Sequence, residues 1–262
     1  MKYFDSHAHY YDERFTEECK EGVDSLIDAL LLDSVSYIVN VGTSPATSRE
    51  AVAQAQKHER MYTAIGIHPS DTRFLSDMDS ELAEIEAMIL DPRSKCVCLG
   101  EIGLDYHYPD TDKERQMRYF HAQMRLAKRL NIPICIHDRE AHGDIMEVIR
   151  AYPDVRGVLH SFSGSPEMAQ ELISLGYYIS FSGTLTFTNA RKPKEVAIAL
   201  PQGRVLIETD CPYLAPHPLR GTLNHSGNLI HTNRVLSELW GISEEECAQI
   251  TEQNAKKFLN IS

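Results

Sequence analysis

The sequence lacks the features by which membrane-spanning and secreted proteins are identified. No run approaches the roughly 18 consecutive apolar residues of a membrane helix, so we expect no membrane partner. The opening stretch MKYFDSHAHYYDERF has no apolar core of the signal-peptide type. The six cysteines contain no pair of CxxC-type motifs, which argues against a zinc knuckle. We therefore expect free thiols and a cytoplasmic protein.

Positive charge is scarce as well. The 26 lysines and arginines are outnumbered by 38 aspartates and glutamates, which gives a formal net charge of −12. This balance opposes tight binding to long duplex DNA, because such binding needs many Lys or Arg contacts to phosphate. It is compatible with a narrow site at which bound metal ions supply the positive charge. No helix-turn-helix, RRM or zinc-finger pattern appears.

Histidine is abundant by contrast. The chain has 12 histidines and one tryptophan, an excess that points to metal or acid/base chemistry. With 262 residues, 42% of them hydrophobic, the chain can bury a large core and does not need a metal merely to fold.

Short apolar runs alternate with helical patterns along the whole chain. The predicted strands are 3–5, 36–41, 61–65, 96–100, 132–136, 157–159, 177–179 and 205–208. The clearest helical patterns are 24–32, 79–90, 113–130, 167–175, 232–240 and 243–260. Eight units of about 30 residues nearly fill the chain. This favours an α/β fold, a (β/α)8 TIM barrel forming a single domain over 1–262 with extra C-terminal helices, rather than a doubly wound open sheet.

Side chains of the metal-ligand type follow five of the predicted strands. They are His7 and His9 after the first strand, Glu101 after the fourth, His137 after the fifth, His160 after the sixth and Asp210 after the eighth. In a barrel all six lie at the C-terminal mouth, where active sites of this fold are found. A single histidine after a strand is usually structural, but six such residues are an improbable coincidence. They suffice for two divalent ions, with Glu101 as the natural bridge.

The motifs DSHAHY, GIHPSD, GEIGLDYHY, PICIHDREA, GVLHSFSG and ETDCPYLAP follow one another from residue 4 onward. In this order they resemble the TatD family of metal-dependent deoxyribonucleases, in the amidohydrolase superfamily. The resemblance implies a TIM barrel with a two-metal site at His7, His9, Glu101, His137, His160 and Asp210. It also implies hydrolysis of phosphodiesters, typically of DNA by 3′–5′ exonuclease action, commonly supported by magnesium.

The resemblance indicates further residues around the metals. His68, in GIHP, matches a family histidine near the scissile phosphate. Arg220 and Asn224 belong to a segment that matches the family's Arg-Gly-x-x-Asn, and we predict both as substrate-binding residues, with Arg220 alternatively holding the segment in place. The family usually has a proline two residues after this asparagine, whereas residues 225–228 read His-Ser-Gly-Asn here. The departure concerns the substrate-facing loop and leaves the metal ligands unaffected.

We expect metal-assisted hydrolysis in which an activated water attacks phosphorus in line. Asp210 is the candidate general base and Glu101 the bridging ligand. His68 is expected to donate to a phosphate oxygen or to protonate the leaving oxygen; alternatively it packs on Pro69 and orders a loop. Arg139, two residues after His137, pairs either with the phosphate or with a nearby carboxylate.

Other residues have two readings each. Asp105 orients a histidine ligand or caps a loop. Three aromatic residues after strands either stack a base or simply pack: Phe162, Tyr106 and Phe187. Three histidines in helical patterns are expected to face solvent: His58, His121 and His142.

Mixed imidazole and carboxylate ligands accept zinc, manganese, nickel, iron or cobalt, whereas magnesium prefers oxygen ligands, so the metal stays open among these. The expected partners are DNA ends or a small phosphodiester, and the sequence is compatible with a monomer. Two alternatives remain: another hydrolase of the superfamily, acting on a small phosphoester, lactone or amide, and a non-catalytic binding protein that holds metals.

Overall fold

The computed structural model describes residues 1–261 and contains eight parallel strands in one sheet, in the order of the chain. The strands are β1 Tyr3–Ala8, β2 Val35–Val41, β3 Met61–Ile65, β4 Cys96–Asp105, β5 Ile134–Arg139, β6 Gly157–Leu159, β7 Tyr178–Phe181 and β8 Val205–Ile207. Beyond β8 the chain returns to β1, where the Asp210 amide donates to the His7 carbonyl at 2.9 Å and the His9 amide to the Cys211 carbonyl at 2.8 Å. The sheet thus forms a nearly closed barrel, and the predicted TIM barrel is confirmed.

Ten α-helices are found in the described part of the chain. They are α1 Glu13–Glu18, α2 Val23–Asp33, α3 Pro45–Ala55, α4 Met78–Leu90, α5 Lys113–Leu130, α6 His142–Ala151, α7 Pro166–Ser174, α8 Arg191–Ala199, α9 Leu229–Trp240 and α10 Glu244–Leu259. Capping residues set several of their starts: the side chains of Asp112 and Ser243 accept the amides of Arg115 and Glu246. Within residues 1–261 no helix is both long enough and apolar enough to cross a bilayer.

The lower part of the barrel interior is a layer of side chains to which every strand contributes. Its members are Phe4, Val39, Ala64, Cys98, Cys135, Val158, Tyr178 and Leu206. Helix α10 covers this end of the barrel, where the Phe258 ring centroid lies 5.1 Å from that of Tyr178. Residues of opposite parity, such as Ile134 and Ile136, belong to the larger core shared with the helices. The N-terminal end of the barrel is therefore sealed by apolar packing, and polar chemistry is confined to the opposite end.

The expectation that His58 faces solvent is wrong. The side chain lies in the loop before β3 and is buried, with Nδ1 2.8 Å from Asp28 Oδ1 and Nε2 3.4 Å from Asp24 Oδ1. Both carboxylates belong to α2, one turn apart, so the imidazole finds a partner for each ring nitrogen. His121 and His142 are partly exposed.

Candidate metal centre

The alternation of side chains along a strand places polar groups directly above the apolar layer of the barrel. His137 follows Cys135 by two residues, and His160 follows Val158 by two, so each imidazole points into the barrel like the apolar residue below it. The same spacing places Glu208 above Leu206. His7 lies in β1, His9 directly after it, Glu101 in β4, and Asp210 after β8. The structure thus brings all six predicted ligand residues to one end of the barrel.

Glu101 lies between two pairs of histidines. Its Oε2 is 3.3 Å from Nε2 of His7 and 3.8 Å from Nε2 of His9. Its Oε1 is 2.7 Å from Nδ1 of His137 and 2.8 Å from Nε2 of His160. Each carboxylate oxygen therefore has its own set of nitrogen donors, which is the arrangement expected of a bridging ligand.

Asp210 joins the first of these two sets. Its Oδ1 lies 3.3 Å from Nε2 of His9 and 3.7 Å from Nε2 of His7. Its backbone has φ of 56°, in the left-handed region that aspartate tolerates better than most residues. Groups of donor atoms within 4.8 Å of one another include His7, His9 and Glu101, and also His7, His160 and Asp210.

In two of these histidines, the ring nitrogen that points away from Glu101 faces an oxygen acceptor. Nδ1 of His9 is 2.7 Å from the Val41 carbonyl oxygen. Nε2 of His137 is 3.2 Å from Oδ2 of Asp105, so Asp105 is positioned to orient this imidazole. The Val41 carbonyl can only accept, so Nδ1 of His9 carries a hydrogen and its Nε2 is the nitrogen available to an ion. With an ion bound, Asp105 would accept the hydrogen of His137 Nε2 and leave Nδ1 to the ion.

The other two histidines are supported in the same manner. Nδ1 of His160 lies 3.2 Å from Oε1 of Glu208, an oxygen that also accepts the Ser161 amide at 2.6 Å. Nδ1 of His7 lies 3.3 Å from the Cys135 sulfur. The sequence reasoning missed Glu208 and read it only as a strand residue. A signal was present: it is a carboxylate two residues before Asp210 in an otherwise apolar strand.

The electrostatics of the centre favour a bound cation. Burial alone would raise the pKa of Glu101, yet His160 and the other imidazoles hold that pKa well below its usual range. Burial lowers the pKa of His160, but Glu101 and then Glu208 reverse this and place it well above 6.5. The buried carboxylates thus stabilise positive charge at the position that His160 faces. Four imidazoles and two carboxylates are a suitable donor set for divalent transition metals.

His68 lies beside the ligands but is configured differently. Its Nδ1 accepts the Ser70 amide at 3.1 Å, so in the neutral ring the hydrogen is on Nε2. Nε2 lies 3.6 Å from Oε1 of Glu101. Burial lowers the pKa of His68 to about 3, which keeps the ring neutral. In this tautomer His68 presents an N–H to the centre, and its donor atom also lies within 4.8 Å of those of Glu101 and His137.

The centre opens into a large cavity of about 1160 Å³. Besides the ligands it is lined by His68, by Arg139, and by residues of the loops after β3, β4 and β8. An Arg139 guanidinium nitrogen lies 3.9 Å from Oδ2 of Asp105, and the side chain is about half exposed, so it borders both the carboxylate and the open space. From this one position Arg139 can pair either with the Asp105 carboxylate or with a phosphate in the cavity.

Asn224 and Arg220, both predicted to bind substrate, are not among the residues that line the cavity. Asn224 is fully buried, and its amide donates to the carbonyls of Thr209 and Tyr213 at 3.0 and 2.7 Å. It fixes the segment after β8. Arg220 is exposed, with its guanidinium 4.5 Å from the centroid of Phe187, outside the residues that line the cavity.

Of the two readings of Phe162, Tyr106 and Phe187, packing agrees better with their positions. Phe162 lines the cavity but is buried in the core. Tyr106 donates its hydroxyl to Asp144, and neither Tyr106 nor Phe187 is among the residues that line the cavity. None of the three offers an open ring face to a base in the cavity.

Comparison with known proteins agrees with this geometry. The family model of the TatD-related DNases matches residues 4–260. The chain belongs to the TatD family. An uncharacterized metal-dependent hydrolase of Bacillus subtilis is 38% identical over 261 residues, covering 99% of both chains. Another from Mycobacterium tuberculosis is 35% identical, covering 91% of both chains.

Solved structures place the fold of this TatD family member in the same group. A TatD homologue from Escherichia coli K12 has a TM-score of 0.90 at 28% identity, covering 99% of this chain and 98% of that one. A TatD family hydrolase from Entamoeba histolytica has a TM-score of 0.88 at 21% identity, covering 100% and 99%. At the latter identity the likeness concerns the fold alone.

Proposed function

We propose that this TatD family member is a divalent-metal-dependent phosphodiester hydrolase, most specifically a deoxyribonuclease that shortens strands from the 3′ end. The main support for the proposal is the position of the Glu101 carboxylate, whose two oxygens each face a separate set of imidazoles. One carboxylate between two donor sets suits a pair of metal ions. His7, His9 and Asp210 would hold one ion, His137 and His160 the other, and Glu101 both.

Two bound cations would supply a water of lowered pKa and neutralise charge that develops on the phosphate. The protein residues supply orientation and proton transfer. Asp210 is fixed by its position beside His9 and is the proposed general base. The Nε2–H of His68 is directed at the centre and would donate to a phosphate oxygen or to the leaving oxygen. Arg139, at the edge of the cavity, would pair with a phosphate oxygen.

The cavity suits a strand end or a small phosphodiester better than a long duplex. Its lining contains six carboxylates but only two arginines among the described residues, so it offers few sites for a polyanionic backbone. Attraction of phosphate would come from the metal centre itself. The net charge of −12 opposes long-range attraction of a polyanion by the rest of the chain.

The experiment is hydrolysis of single-stranded oligonucleotides labelled at the 5′ end in one sample and at the 3′ end in another. The protein is stripped with chelator and then supplied separately with magnesium, manganese or zinc. Glu101→Ala and Asp210→Asn are compared with Glu195→Gln, a control for an exposed carboxylate of α8. We expect stepwise shortening of the 5′-labelled strand from its 3′ end, lost in the first two variants and retained in the control.

Other outcomes separate the alternatives. If no oligonucleotide is cleaved with any metal, DNA is not the substrate, and small phosphoesters, lactones and amides are tested next. Circular dichroism of the stripped protein addresses a purely structural role of the metals. A fold that survives chelation, together with an activity that does not, excludes a binding protein that keeps metals only for stability.

A further inference from the structure

Three aromatic side chains are exposed in the described part of the chain, and all three border the cavity of the metal centre. They are Phe74, 73% exposed, Tyr108, 49%, and Tyr213, 47%. The other large apolar side chains with comparable exposure are aliphatic and do not line the cavity: Met1, Leu32, Leu90 and Ile198. Single exposed apolar residues need no explanation, but the presence of all the exposed phenylalanine and tyrosine rings at one opening does.

Two of these rings are each accompanied by an arginine. The Arg73 guanidinium lies 4.6 Å from the centroid of Phe74, and that of Arg139 lies 5.7 Å from the centroid of Tyr108. Both distances are within the range of cation–π attraction. Arg139 also approaches Asp105, the carboxylate that supports the ligand His137. The Tyr108–Arg139 pair therefore approaches the metal centre through the contact between Arg139 and Asp105.

The exposure of Phe74 is not a consequence of a loose loop. Arg115 of α5 donates to the carbonyls of Thr72 and Leu75, the first at 2.7 Å, and so fixes the backbone on both sides of the ring. The Thr72 hydroxyl donates to the Pro69 carbonyl at 2.7 Å. A phenyl ring on an anchored backbone offers a preformed flat apolar surface at little entropic cost to a ligand.

The charge of the cavity restricts which ligand would use these rings. Arg73 and Arg139 are the cations of the described lining besides histidines, and each lies at a ring. With so few phosphate contacts available, a strand would need another source of affinity. Aromatic side chains supply it to single strands by stacking, which tolerates any base. Bases within a duplex are already stacked on one another and offer no free face.

We propose that Phe74 and Tyr108 stack unpaired nucleobases next to the phosphodiester that lies at the metal centre. The site would then take the unpaired end of a nucleic-acid strand, with the Phe74–Arg73 pair as its main base-binding position. The inference rests on the proposed phosphodiesterase function. It adds residues that the sequence reasoning did not identify, since that reasoning considered only Phe162, Tyr106 and Phe187 for stacking.

The test uses short single-stranded oligonucleotides with phosphorothioate linkages, which resist cleavage, carrying 2-aminopurine at one of the last three positions of the 3′ end. Stacking on an aromatic ring quenches the fluorescence of 2-aminopurine. We expect quenching on the manganese-loaded full-length protein at one or two of these positions. Phe74→Ala should weaken binding about tenfold, and Phe74→Trp should retain it. Leu90→Ala is the control, since Leu90 is an exposed apolar residue outside the cavity.

A second arm asks whether the base and the ring act on each other. For the wild-type protein, an abasic residue at the quenched position should lower the binding affinity by the same factor as Phe74→Ala does. For the Phe74→Ala protein, the abasic residue should lower the affinity no further. Equal affinity for intact and abasic strands, or an unchanged affinity in both Phe74→Ala and Tyr108→Ala, would overturn the inference. Hydrolysis of methyl p-nitrophenyl phosphate, which has no nucleobase, tests the metal centre separately. If neither this ester nor any oligonucleotide is cleaved, the proposed function itself fails.

Discussion

Among single residues, Glu208 distinguishes support of a ligand from ligation itself. Its Oε1 accepts from both His160 Nδ1 and the Ser161 amide in a buried setting. Glu208→Ala removes the acceptor from both donors, so we expect metal affinity to fall about 10–100-fold. Glu208→Gln keeps an oxygen in place and should lose less. The measurement is competition for zinc between the protein and a chelator of known affinity.

The same titration on Glu195→Ala gives the baseline for loss of a carboxylate, because Glu195 is exposed and pairs with Arg191 on α8. Wild-type affinity in Glu208→Ala would mean that His160 needs no orienting partner.

His68 offers a second prediction, because its hydrogen lies on the nitrogen that faces the centre. We expect His68→Ala to lower kcat by about 10²–10⁴-fold while the metal content stays unchanged. Elemental analysis and kcat are measured on the same preparation. Loss of one metal ion in this variant would show that His68 is a ligand after all.

The leaving group separates the two donor roles of His68. A p-nitrophenolate leaving group needs little protonation, so an ester that contains it should lose less rate in His68→Ala than an oligonucleotide does, if His68 protonates the leaving oxygen. An equal loss on both substrates would favour donation to a phosphate oxygen.

Much of the metal centre was predictable from residue type and position alone. His7, His137 and His160 follow apolar runs, and strands of a barrel end at one mouth, so the pattern implies proximity. The roles of Asn224 and Arg220 were not predictable in this way. The partners of Asn224 are backbone carbonyls whose positions depend on the path of the loop after β8.

At the level of secondary structure, closure of the barrel between β1 and β8 depends on a side-chain contact as well as on backbone pairing. The Thr209 hydroxyl and amide donate to the two oxygens of buried Asp5, at 2.6 and 2.9 Å. Hydrogen bonds to a charged acceptor contribute about 1.5–3 kcal/mol. We therefore expect Thr209→Val to lower the free energy of unfolding by about that amount in a urea titration.

Thr251→Val is the matched control, since Thr251 is equally buried but its hydroxyl donates to the Cys247 carbonyl within α10. The acceptor in this case is a neutral carbonyl, so loss of the hydrogen bond should cost less, about 1 kcal/mol. Equal losses in the two variants would mean that the contact with Asp5 adds nothing to closure.

The elements themselves were predicted unevenly, for physical reasons. Short apolar runs located all eight strands. The predicted fifth strand began at 132, however, whereas β5 begins at Ile134, after Pro133, which has no amide hydrogen to donate. Helix α3 was not located individually, because its buried face is made of Ser48, Ala51 and Ala55, whose small side chains leave no apolar period. The loops that carry Phe74 and Tyr213 have no period at all.

For the whole molecule, the distribution of charge predicts how binding of a strand responds to salt. A chain with a net charge of −12 repels a polyanion, and the cavity offers Arg73 and Arg139 as its non-histidine cations in the described lining. For single strands, log K falls with log salt with a slope of about −0.7 per neutralised phosphate. Two arginines therefore give a slope of about −1.4 at fixed metal concentration.

Fluorescence anisotropy of a labelled phosphorothioate strand over a range of salt concentrations measures this slope. Arg73→Gln should make it shallower by about 0.7, while Arg191→Gln, an exposed arginine of α8, should leave it unchanged. Affinity should also stop rising with strand length once the strand fills the cavity. A slope steeper than about −3 would require phosphate contacts outside the cavity. The strand would then be bound along the surface of the barrel and not by its end.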